Sequence, residues 1–224
     1  MNISKAIAAR RSVRAFLDKE VPEGVLRRVL AEAARAPSGG NLQPWRIYAL
    51  RGAPLGRLKE RLRARLADPS PDPPEYDIYP EKLWEPYRTE RFRVGEMLYA
   101  ELGIPRDDRK ARLAQFARNY EFFGAPVGLF CYIDRRMGPP QWSDLGMYLE
   151  NVMLLLCAEG LASCPQESWS TYNRVVAAAL SPPPELMLFC GLAIGYEDTA
   201  APVNRLRTER LPLDAFATFI GFDG

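Results

Sequence analysis

The sequence predicts an α+β fold in which helices cover a small mixed or antiparallel sheet. Only three or four segments have the character of strands, and helical segments outnumber them without the regular alternation of a doubly wound sheet. Hydrophobic residues make up 47% of the 224 residues, which is enough for a sizeable core. We therefore predict one domain over residues 1–224, with an insertion around residues 67–123 that forms a helical lid.

The segments before the insertion are predicted to form three helices and one strand. The first helix spans Ile3 to Ala9, and the second begins near Pro22 and stops at the breaker Pro37–Gly40. A strand follows over residues 45–50. Leucines at 55, 58, 62 and 66 then give the third helix one apolar face.

The predicted insertion begins with a proline-rich stretch. Five prolines lie between Ala67 and Glu81, so we expect no regular structure there. Two predicted helices follow, Trp84 to Leu102 and Asp107 to Phe122, and they carry many aromatic residues. We interpret these helices as a lid over a binding site. For any single aromatic residue, packing in the helical core is the alternative.

The segments after the insertion are predicted to form two strands and three helices. The strands are Val127 to Ile133 and Leu186 to Ile194, and the helices are Ser143 to Glu159, Thr171 to Leu180 and Leu213 to Phe219. The first of these helices is apolar around nearly its whole circumference. We therefore expect its own core or a partner subunit to bury it on most sides.

The charged residues exclude several kinds of site. The chain has 30 Lys and Arg against 28 Asp and Glu, and it has no histidine. A Ser-His-Asp site, a Cys-His site and a His-ligated zinc are therefore excluded. The near-neutral charge argues against a dedicated nucleic-acid binder. Twenty-five of the 30 basic residues are arginine, which suits bidentate binding of phosphate or carboxylate.

The cysteines and the N-terminus indicate where the protein works. Cys131, Cys157, Cys164 and Cys190 form no CxxC pair, so we interpret them as small core residues in a reducing compartment. The N-terminus lacks the apolar region of a secretory signal, and no apolar run reaches the ~18 residues of a membrane span. We expect a cytoplasmic protein with no membrane span and no metal site.

Three polar segments are candidates for binding chemistry. Arg10 to Arg14 (RRSVR) brings three guanidinium groups and a hydroxyl together, and Asn204 to Pro212 holds a second arginine cluster. Pro37 to Trp45 contains two glycines that let the backbone approach a flat ligand closely. There is no GxGxxG after a strand and no P-loop. Taken singly, each segment is better explained as a solvated turn or loop, or as a helix stop, than as a binding site.

Together these segments resemble the nitroreductase family of flavin mononucleotide (FMN) enzymes. Arg10 to Phe16 is similar to the family's N-terminal signature, and Ala36 to Trp45 (APSGGNLQPW) to its most diagnostic motif. Gly160 to Glu167 resembles the segment along the flavin ring, and Gly195-Tyr196 with Asn204 to Pro212 resembles the phosphate-side motif. The middle of the chain is similar to the branch that contains nitrobenzoate-type nitroreductases.

The resemblance implies a nitroreductase-like fold and a set of residues around FMN. Arg10, Ser12 and Arg210, helped by Arg207, would hold the phosphate. Arg11 and Arg14 would lie at the ribityl chain or the N1–C2 edge. The ring would be contacted from the neighbouring subunit by Pro37, Ser38, Gly39 and Asn41. Near N5 the implied residues are Pro165, Gln166 and Glu167. We expect Tyr87 and Phe123 of the lid to contact the substrate.

The same resemblance implies the reaction. An NAD(P)H-dependent FMN nitroreductase would pass two electrons from NADPH or NADH through flavin N5 to a nitroaromatic or similar electron-poor acceptor. Because reductant and acceptor would use one site in turn, the kinetics would be ping-pong. The family also implies a homodimer with FMN at the subunit interface. No side chain is expected to act as a catalytic acid.

Other functions stay open at this stage. Within the family, the alternatives are a flavin-dependent enone or quinone reductase and a reductive dehalogenase. A non-catalytic flavin-binding protein would hold FMN without rapid reduction by nicotinamides. A polyanion-binding module would use the basic face between Arg57 and Arg65, and it would be colourless.

Overall fold

The computed structural model describes residues 1–66 and 72–222. Within them lies a four-stranded sheet whose strand order is β1-β2-β4-β3, with antiparallel neighbours throughout. The strands are β1 (Arg46–Arg51), β2 (Val127–Asp134), β3 (Ala162–Gln166) and β4 (Leu186–Gly195). The predicted α+β class is confirmed, and the sheet is antiparallel rather than mixed.

Seven α-helices cover this sheet in the described part of the chain. They are α1 (Ile3–Ala9), α2 (Glu23–Ala33), α3 (Gly52–Leu66), α4 (Tyr87–Glu101), α5 (Arg109–Ala117), α6 (Pro139–Ala158) and α7 (Asn173–Leu180). Asn2 caps α1 by accepting a hydrogen bond from the Lys5 amide, 2.9 Å away. The predicted bounds of α1 are confirmed, and those of α2, α3 and α7 shift by a few residues at most.

Two apolar clusters lie on opposite faces of the sheet. Strand β2 is buried along nearly its whole length because its alternate side chains enter both clusters. Leu129 and Ile133 pack in the cluster that contains residues of α2 and α6. Phe130 and Tyr132 pack in the cluster that contains residues of α3 and α7. This double burial explains why the β2 sequence reads as a continuous apolar run.

Helix α6 is the apolar helix that the sequence singled out. One side is buried against the sheet and α2, including Leu145, Val152 and Leu156, which are fully covered. Leu154 and Leu155 stay partly accessible, and Met147 is 38% exposed. The helix starts at Pro139 rather than Ser143, because proline is tolerated in the first turn of a helix.

Several predicted elements are wrong. The segment Leu213 to Phe219 forms only a short 3₁₀ turn at Leu213–Ala215, because its apolar side chains face solvent and no packing stabilises a helix. The helix predicted from Asp107 to Phe122 ends as α-helix at Ala117 and continues as 3₁₀ turns over Arg118–Gly124. Positive φ angles at Phe122 and Phe123 prevent its continuation. Strand β3 was not predicted as a strand.

The proline-rich segment is only partly described. Residues 67–71 lie outside the described residues, and residues 72–81 have no helix or strand, as predicted. All four cysteines are free. Cys131, Cys164 and Cys190 are buried, which confirms the prediction that they are core residues, whereas Cys157 is only half-buried. None of the helices in the described ranges combines the length and apolar character that crossing a bilayer requires.

Candidate functional site

An open cleft of about 610 Å³ collects arginines from distant parts of the chain. We call it the arginine cleft. Its charged lining residues are Arg10, Arg11, Arg14, Arg93, Arg207 and Arg210, with Glu90, Glu150 and Glu209. Ser12 also lines it. The two arginine clusters that the sequence placed near opposite ends of the chain therefore meet at one site.

Backbone pairing with the sheet positions the N-terminal arginines. Ser12 forms a parallel bridge with Ser163 of β3, and the Val13 amide donates to the Ser163 carbonyl at 3.0 Å. Farther along, Phe16 pairs with Glu197 just beyond β4. The segment from Ser12 to Phe16 therefore crosses the ends of two strands, and this places Arg10, Arg11 and Arg14 at the cleft.

Carboxylates neutralise only part of the positive charge. Arg10 Nε lies 3.4 Å from Glu150 Oε1, and Arg11 Nη2 lies 2.5 Å from both carboxylate oxygens of Glu197. Arg11 Nε is nevertheless buried and finds no hydrogen-bond partner among the described residues. Arg93 on α4 pairs with Glu90 at 2.7 Å and Glu209 at 3.0 Å.

Hydrogen bonds to Glu90 and Glu209 raise the pKa of Arg93, so its guanidinium stays protonated and positively charged. Three arginines of the cleft, Arg14, Arg207 and Arg210, have no carboxylate partner within residues 1–66 and 72–222. Arg207 and Arg210 donate to nearby backbone carbonyls, as at 2.8 Å from Arg207 Nη1 to the Asn204 carbonyl. Their positive charge is available to an anion in the cleft.

The glycine-containing loop at Pro37–Gln43 takes an unusual backbone conformation. Gly40, Asn41 and Gln43 have φ angles of 56°, 58° and 48°, the left-handed region that glycine and asparagine tolerate best. The buried carboxylate of Asp144 on α6 accepts from the Gly39 amide at 3.3 Å and 3.4 Å. Ser38 Oγ accepts from the Gln43 amide at 3.0 Å. The loop is therefore fixed to α6.

The segment Pro165–Glu167 continues β3 away from Ser163. Pro165 and Glu167 are exposed, whereas the Gln166 side chain is 2% exposed. Its amide donates to the Asn119 carbonyl at 2.6 Å and accepts from Trp169 Nε1 at 3.4 Å. Of Gln166, only the backbone is left for a ligand. Neither this segment nor the loop at 37–43 is among the described residues that line the arginine cleft.

The two predicted substrate contacts, Tyr87 and Phe123, lie in different surroundings. Tyr87 begins α4, is 56% exposed and packs edge-on against Trp84, with ring centroids 5.6 Å apart. Phe123 is 2% exposed and packs in the cluster that contains α3 and α7. The prediction for Phe123 is therefore corrected: its positive φ turns the chain into the core, where the ring cannot reach a substrate.

Sequence reasoning missed several residues of the cleft. Glu90 and Arg93 belong to α4, which we had placed over a substrate rather than beside the arginine clusters. Glu150 and Glu197 are single carboxylates in unrelated segments. A lone glutamate carries no sequence signal for an ion pair with a residue more than a hundred positions away.

Comparison with known proteins identifies the family. The sequence profile of the nitroreductase family matches residues 7–196. The chain belongs to the nitroreductase family. It is 36% identical over 219 residues to the nitrobenzene nitroreductase of Ectopseudomonas oleovorans, covering 97% of this chain and 96% of that relative. It is also 36% identical over 217 residues to the 4-nitrobenzoate reductase of Pseudomonas putida, at 97% and 95% coverage.

Solved structures confirm the nitroreductase fold. The FMN- and NADPH-dependent nitroreductase NfnB from Sphigopyxis sp. strain HMH superimposes with a TM-score of 0.96 at 50% identity, covering 99% of this chain and all of that one. FMN-dependent NfnB from Mycobacterium smegmatis, solved with NADPH, gives a TM-score of 0.92 at 34% identity and 97% coverage of both chains. The resemblance that the sequence motifs indicated is therefore confirmed.

Proposed function

We propose that this nitroreductase is an FMN-dependent enzyme that moves two electrons from NADPH or NADH to a nitroaromatic or similar electron-poor acceptor. The observation that carries the proposal is the arginine cleft, where Arg14, Arg207 and Arg210 lack carboxylate partners among the described residues. The names of the similar enzymes support the same reaction and acceptor class.

The donors of the cleft fit a phosphate dianion. Guanidinium groups bind phosphate oxygens through charge-assisted hydrogen bonds, and Arg10, Arg207 and Arg210 bring three of them to the cleft. We propose that Arg10, Ser12, Arg207 and Arg210 hold the FMN phosphate. When bound, FMN supplies the two-electron transfer between nicotinamide and acceptor.

Other residues would orient the ring and tune its surroundings. Arg11 and Arg14 would place positive charge beside the ribityl chain or the N1–C2 edge, where it favours negative charge on the ring. Arg14 has the stronger effect, because Glu197 partly neutralises Arg11. The backbone at Pro165–Glu167 would face N5. Tyr87 on the exposed start of α4 would contact the acceptor.

We further propose a homodimer in which the loop at Pro37–Asn41 contacts the FMN of the partner subunit. Exposed apolar side chains support a covered surface: Phe216, Phe219, Ile220 and Phe222 are each at least 57% exposed in the single chain. We expect the holo-protein to sediment as a dimer. A monomer that retains FMN would contradict this part of the proposal.

The free cysteines suit a cytoplasmic protein, and we propose that location. We also propose that the chain is one FMN-binding domain whose segment at about 67–123 is an insertion.

We propose ping-pong kinetics, because reductant and acceptor would occupy one site in turn. Initial rates at several acceptor concentrations should therefore give parallel double-reciprocal lines. Intersecting lines would contradict a shared site.

The first experiment is purification without added flavin. We expect a yellow protein whose colour survives gel filtration, bleaches with NADPH or NADH, and returns with a nitrobenzoate. A flavin-binding protein without catalysis would stay yellow with either nucleotide. A polyanion-binding module would be colourless and would fail to take up added FMN. Turnover of a nitroaromatic, an enone and a halophenol with one reductant distinguishes the three acceptor classes.

The second experiment tests the phosphate residues. Arg10→Ala and Arg210→Ala each remove charge-assisted hydrogen bonds of about 1.5–3 kcal/mol, which lowers FMN affinity roughly 10- to 150-fold. Arg28→Ala is the matched control, because Arg28 pairs with Glu159 at 2.8 Å and is not a lining residue of the cleft. Unchanged FMN affinity in both cleft variants would show that the phosphate binds elsewhere.

A further inference from the structure

The side chain of Asn204 links the two arginine clusters. Its Oδ1 accepts from the Arg14 amide at 2.8 Å, and its Nδ2 donates to the carbonyls of Ala15 at 2.9 Å and Asp198 at 2.8 Å. Its own carbonyl accepts from the Arg207 guanidinium at 2.8 Å. One residue therefore contacts an arginine of the N-terminal cluster and an arginine of the C-terminal cluster.

This residue is built into the fold rather than exposed in the cleft. Asn204 is 4% exposed, and its three side-chain hydrogen bonds satisfy both Nδ2 hydrogens and one acceptor site of Oδ1. It does not line the arginine cleft. A buried amide with this bonding pattern fixes the backbone on both sides. Its loss would leave the Arg14 N–H without a partner among the described residues, and it would remove one of the two hydrogen bonds that the Ala15 and Asp198 carbonyls each accept.

The positions of the two clusters depend on this link. Arg14 lies nine residues before the first residue of α2, and Arg207 and Arg210 lie in a segment without regular structure. Besides Asn204, the C-terminal segment is held by the ion pair of Glu209 with Arg93, and the Glu209 side chain is 78% exposed. An exposed ion pair stabilises little. The buried side chain of Val203 also anchors this segment, but Asn204 makes the hydrogen bonds to the N-terminal segment, so it sets where the C-terminal arginines lie relative to Arg14.

We propose that Asn204 is a positioning residue for phosphate recognition: it sets the spacing of the two arginine clusters so that both contact one FMN phosphate. This inference rests on the proposed function. It predicts that Asn204 acts mainly at the phosphate end of the ligand, because it binds the main-chain amide of Arg14 and not the guanidinium that we place beside the ribityl chain or the ring. Riboflavin carries the same ring and ribityl chain without the phosphate. Substitution of Asn204 should therefore change riboflavin affinity much less than FMN affinity.

The test measures FMN and riboflavin affinities of the apoprotein by quenching of flavin fluorescence. In Asn204→Ala we expect FMN affinity to fall on the order of tenfold and riboflavin affinity to change less than about threefold. The preference for FMN over riboflavin therefore falls. Asn204→Ser keeps one hydroxyl donor and is the milder variant; it should show a smaller loss in the same direction.

Asn173→Ala is the matched control. Asn173 Nδ2 also donates to two carbonyls, those of Pro73 at 3.1 Å and Ser170 at 3.0 Å, but it stands at the start of α7. We expect this variant to lose stability and to keep the FMN preference. An equal loss of FMN and riboflavin affinity in both Asn204 variants, or no loss of either, overturns the positioning role.

The arginine variants distinguish a failure of the Asn204 inference from a failure of the proposed phosphate site. If Arg10→Ala and Arg210→Ala weaken FMN binding while both Asn204 variants keep the FMN preference, only the inference on Asn204 fails. If the arginine variants also leave FMN affinity unchanged, the phosphate site itself is wrong.

Discussion

Glu150 is a carboxylate that competes with a ligand for the arginine cleft. Its Oε1 lies 3.4 Å from Arg10 Nε, and its side chain is 44% exposed, so it can turn away when an anion binds. Its charge nevertheless repels a phosphate dianion at short range. The residue that partly neutralises Arg10 in the free protein therefore opposes the ligand in the complex.

Glu150→Gln should tighten FMN binding about threefold at low ionic strength, and the gain should shrink in high salt because salt screens partly exposed charges. Glu159→Gln is the control, since it makes the same charge change at an ion pair with Arg28 and is not a lining residue of the cleft. FMN titration at two salt concentrations checks the prediction. Equal effects of the two variants would show that only net charge matters.

Lys59 shows how burial acts on a single charge. Burial lowers the pKa of Lys59, the nearby charge of Glu121 raises it, and that of Arg63 lowers it further, with a net decrease. A lysine whose pKa falls on folding is deprotonated more easily in the native state than in the unfolded state. Its charge therefore costs stability at neutral pH, and this cost disappears as the pH rises past the lysine's ordinary pKa of 10.5.

Lys59→Met should raise the urea midpoint of unfolding at pH 7, and the difference from the parent protein should shrink near pH 10.5. Loss of the attraction to Glu121 offsets part of the gain. Lys82→Met, at an exposed position, is the control and should leave the midpoint unchanged at both values. A difference that grows with pH would contradict the sign of this argument.

At the scale of elements, β4 depends on the small size of one residue. The indole of Trp169 covers Gly191 so closely that an added Cβ would lie 2.4 Å from its Cδ1. Trp169 is fully buried and stacks on Phe122, with ring centroids 4.5 Å apart, so it cannot move aside cheaply. This contact holds β4 against the 3₁₀ turn that follows β3.

Gly191→Ala should lower the free energy of unfolding by about 1–3 kcal/mol through overpacking. Gly95→Ala is the opposite control: it lies inside α4, nothing stands within 4 Å of its added Cβ, and it should gain roughly 0.5–1 kcal/mol from helix propensity. Urea unfolding measures both variants. A stable Gly191→Ala protein would mean that the aromatic cluster can repack.

Helix α6 and the loop it holds illustrate how an element serves a site. The apolar residues of α6 anchor it in the core, and this anchoring makes the buried Asp144 a fixed acceptor for the Gly39 amide. Hydrogen bonds within the chain itself therefore hold the loop at Pro37–Asn41 against α6. Preorganisation of this kind reduces the entropy lost on binding.

At the scale of the whole molecule, FMN should stabilise the fold that binds it. A ligand at a thousand times its dissociation constant adds about 4 kcal/mol to the native state. For a chain of this size, ~1 kcal/mol moves the thermal midpoint by about 2–4 °C, so removal of FMN should lower it by roughly 8–16 °C.

Thermal unfolding of holo- and apoprotein in phosphate-free buffer checks this prediction, with riboflavin as the comparison ligand. Because riboflavin lacks the phosphate, its stabilisation should be clearly smaller than that of FMN. Equal stabilisation by the two flavins would contradict a site in which arginines hold the phosphate.

Much of the fold could be read from the sequence, because the information was local. Apolar periodicity located α1 to α3, and the continuous apolar runs located β2 and β4. Strand β3 was missed because Ala162–Gln166 contains a proline and small polar residues, and its pairing with β4 alone makes it a strand. The last predicted helix failed because its apolar residues find no core in one chain.

In the candidate site, as in the fold, only the local features could be predicted from the sequence. Motifs at Arg10–Arg14 and Asn204–Pro212 predict phosphate binding, because clusters of arginine are a local feature. They could not show that α4 lines the same cleft, or that Phe123 is buried in the core. Those facts depend on contacts between residues far apart in the chain.

The sequence motifs were sufficient to identify the family and the α+β class, and they predict which residue types would bind a flavin phosphate. Short motifs carry that information, since a guanidinium group or a glycine keeps its chemistry in any fold. Only the tertiary structure decided which charges face one another. The bridges of Ser12 with Ser163 and of Phe16 with Glu197, and the hydrogen bonds of Asn204, bring residues about 150 to 190 positions apart into contact. This proximity comes from packing and leaves no local trace in the sequence.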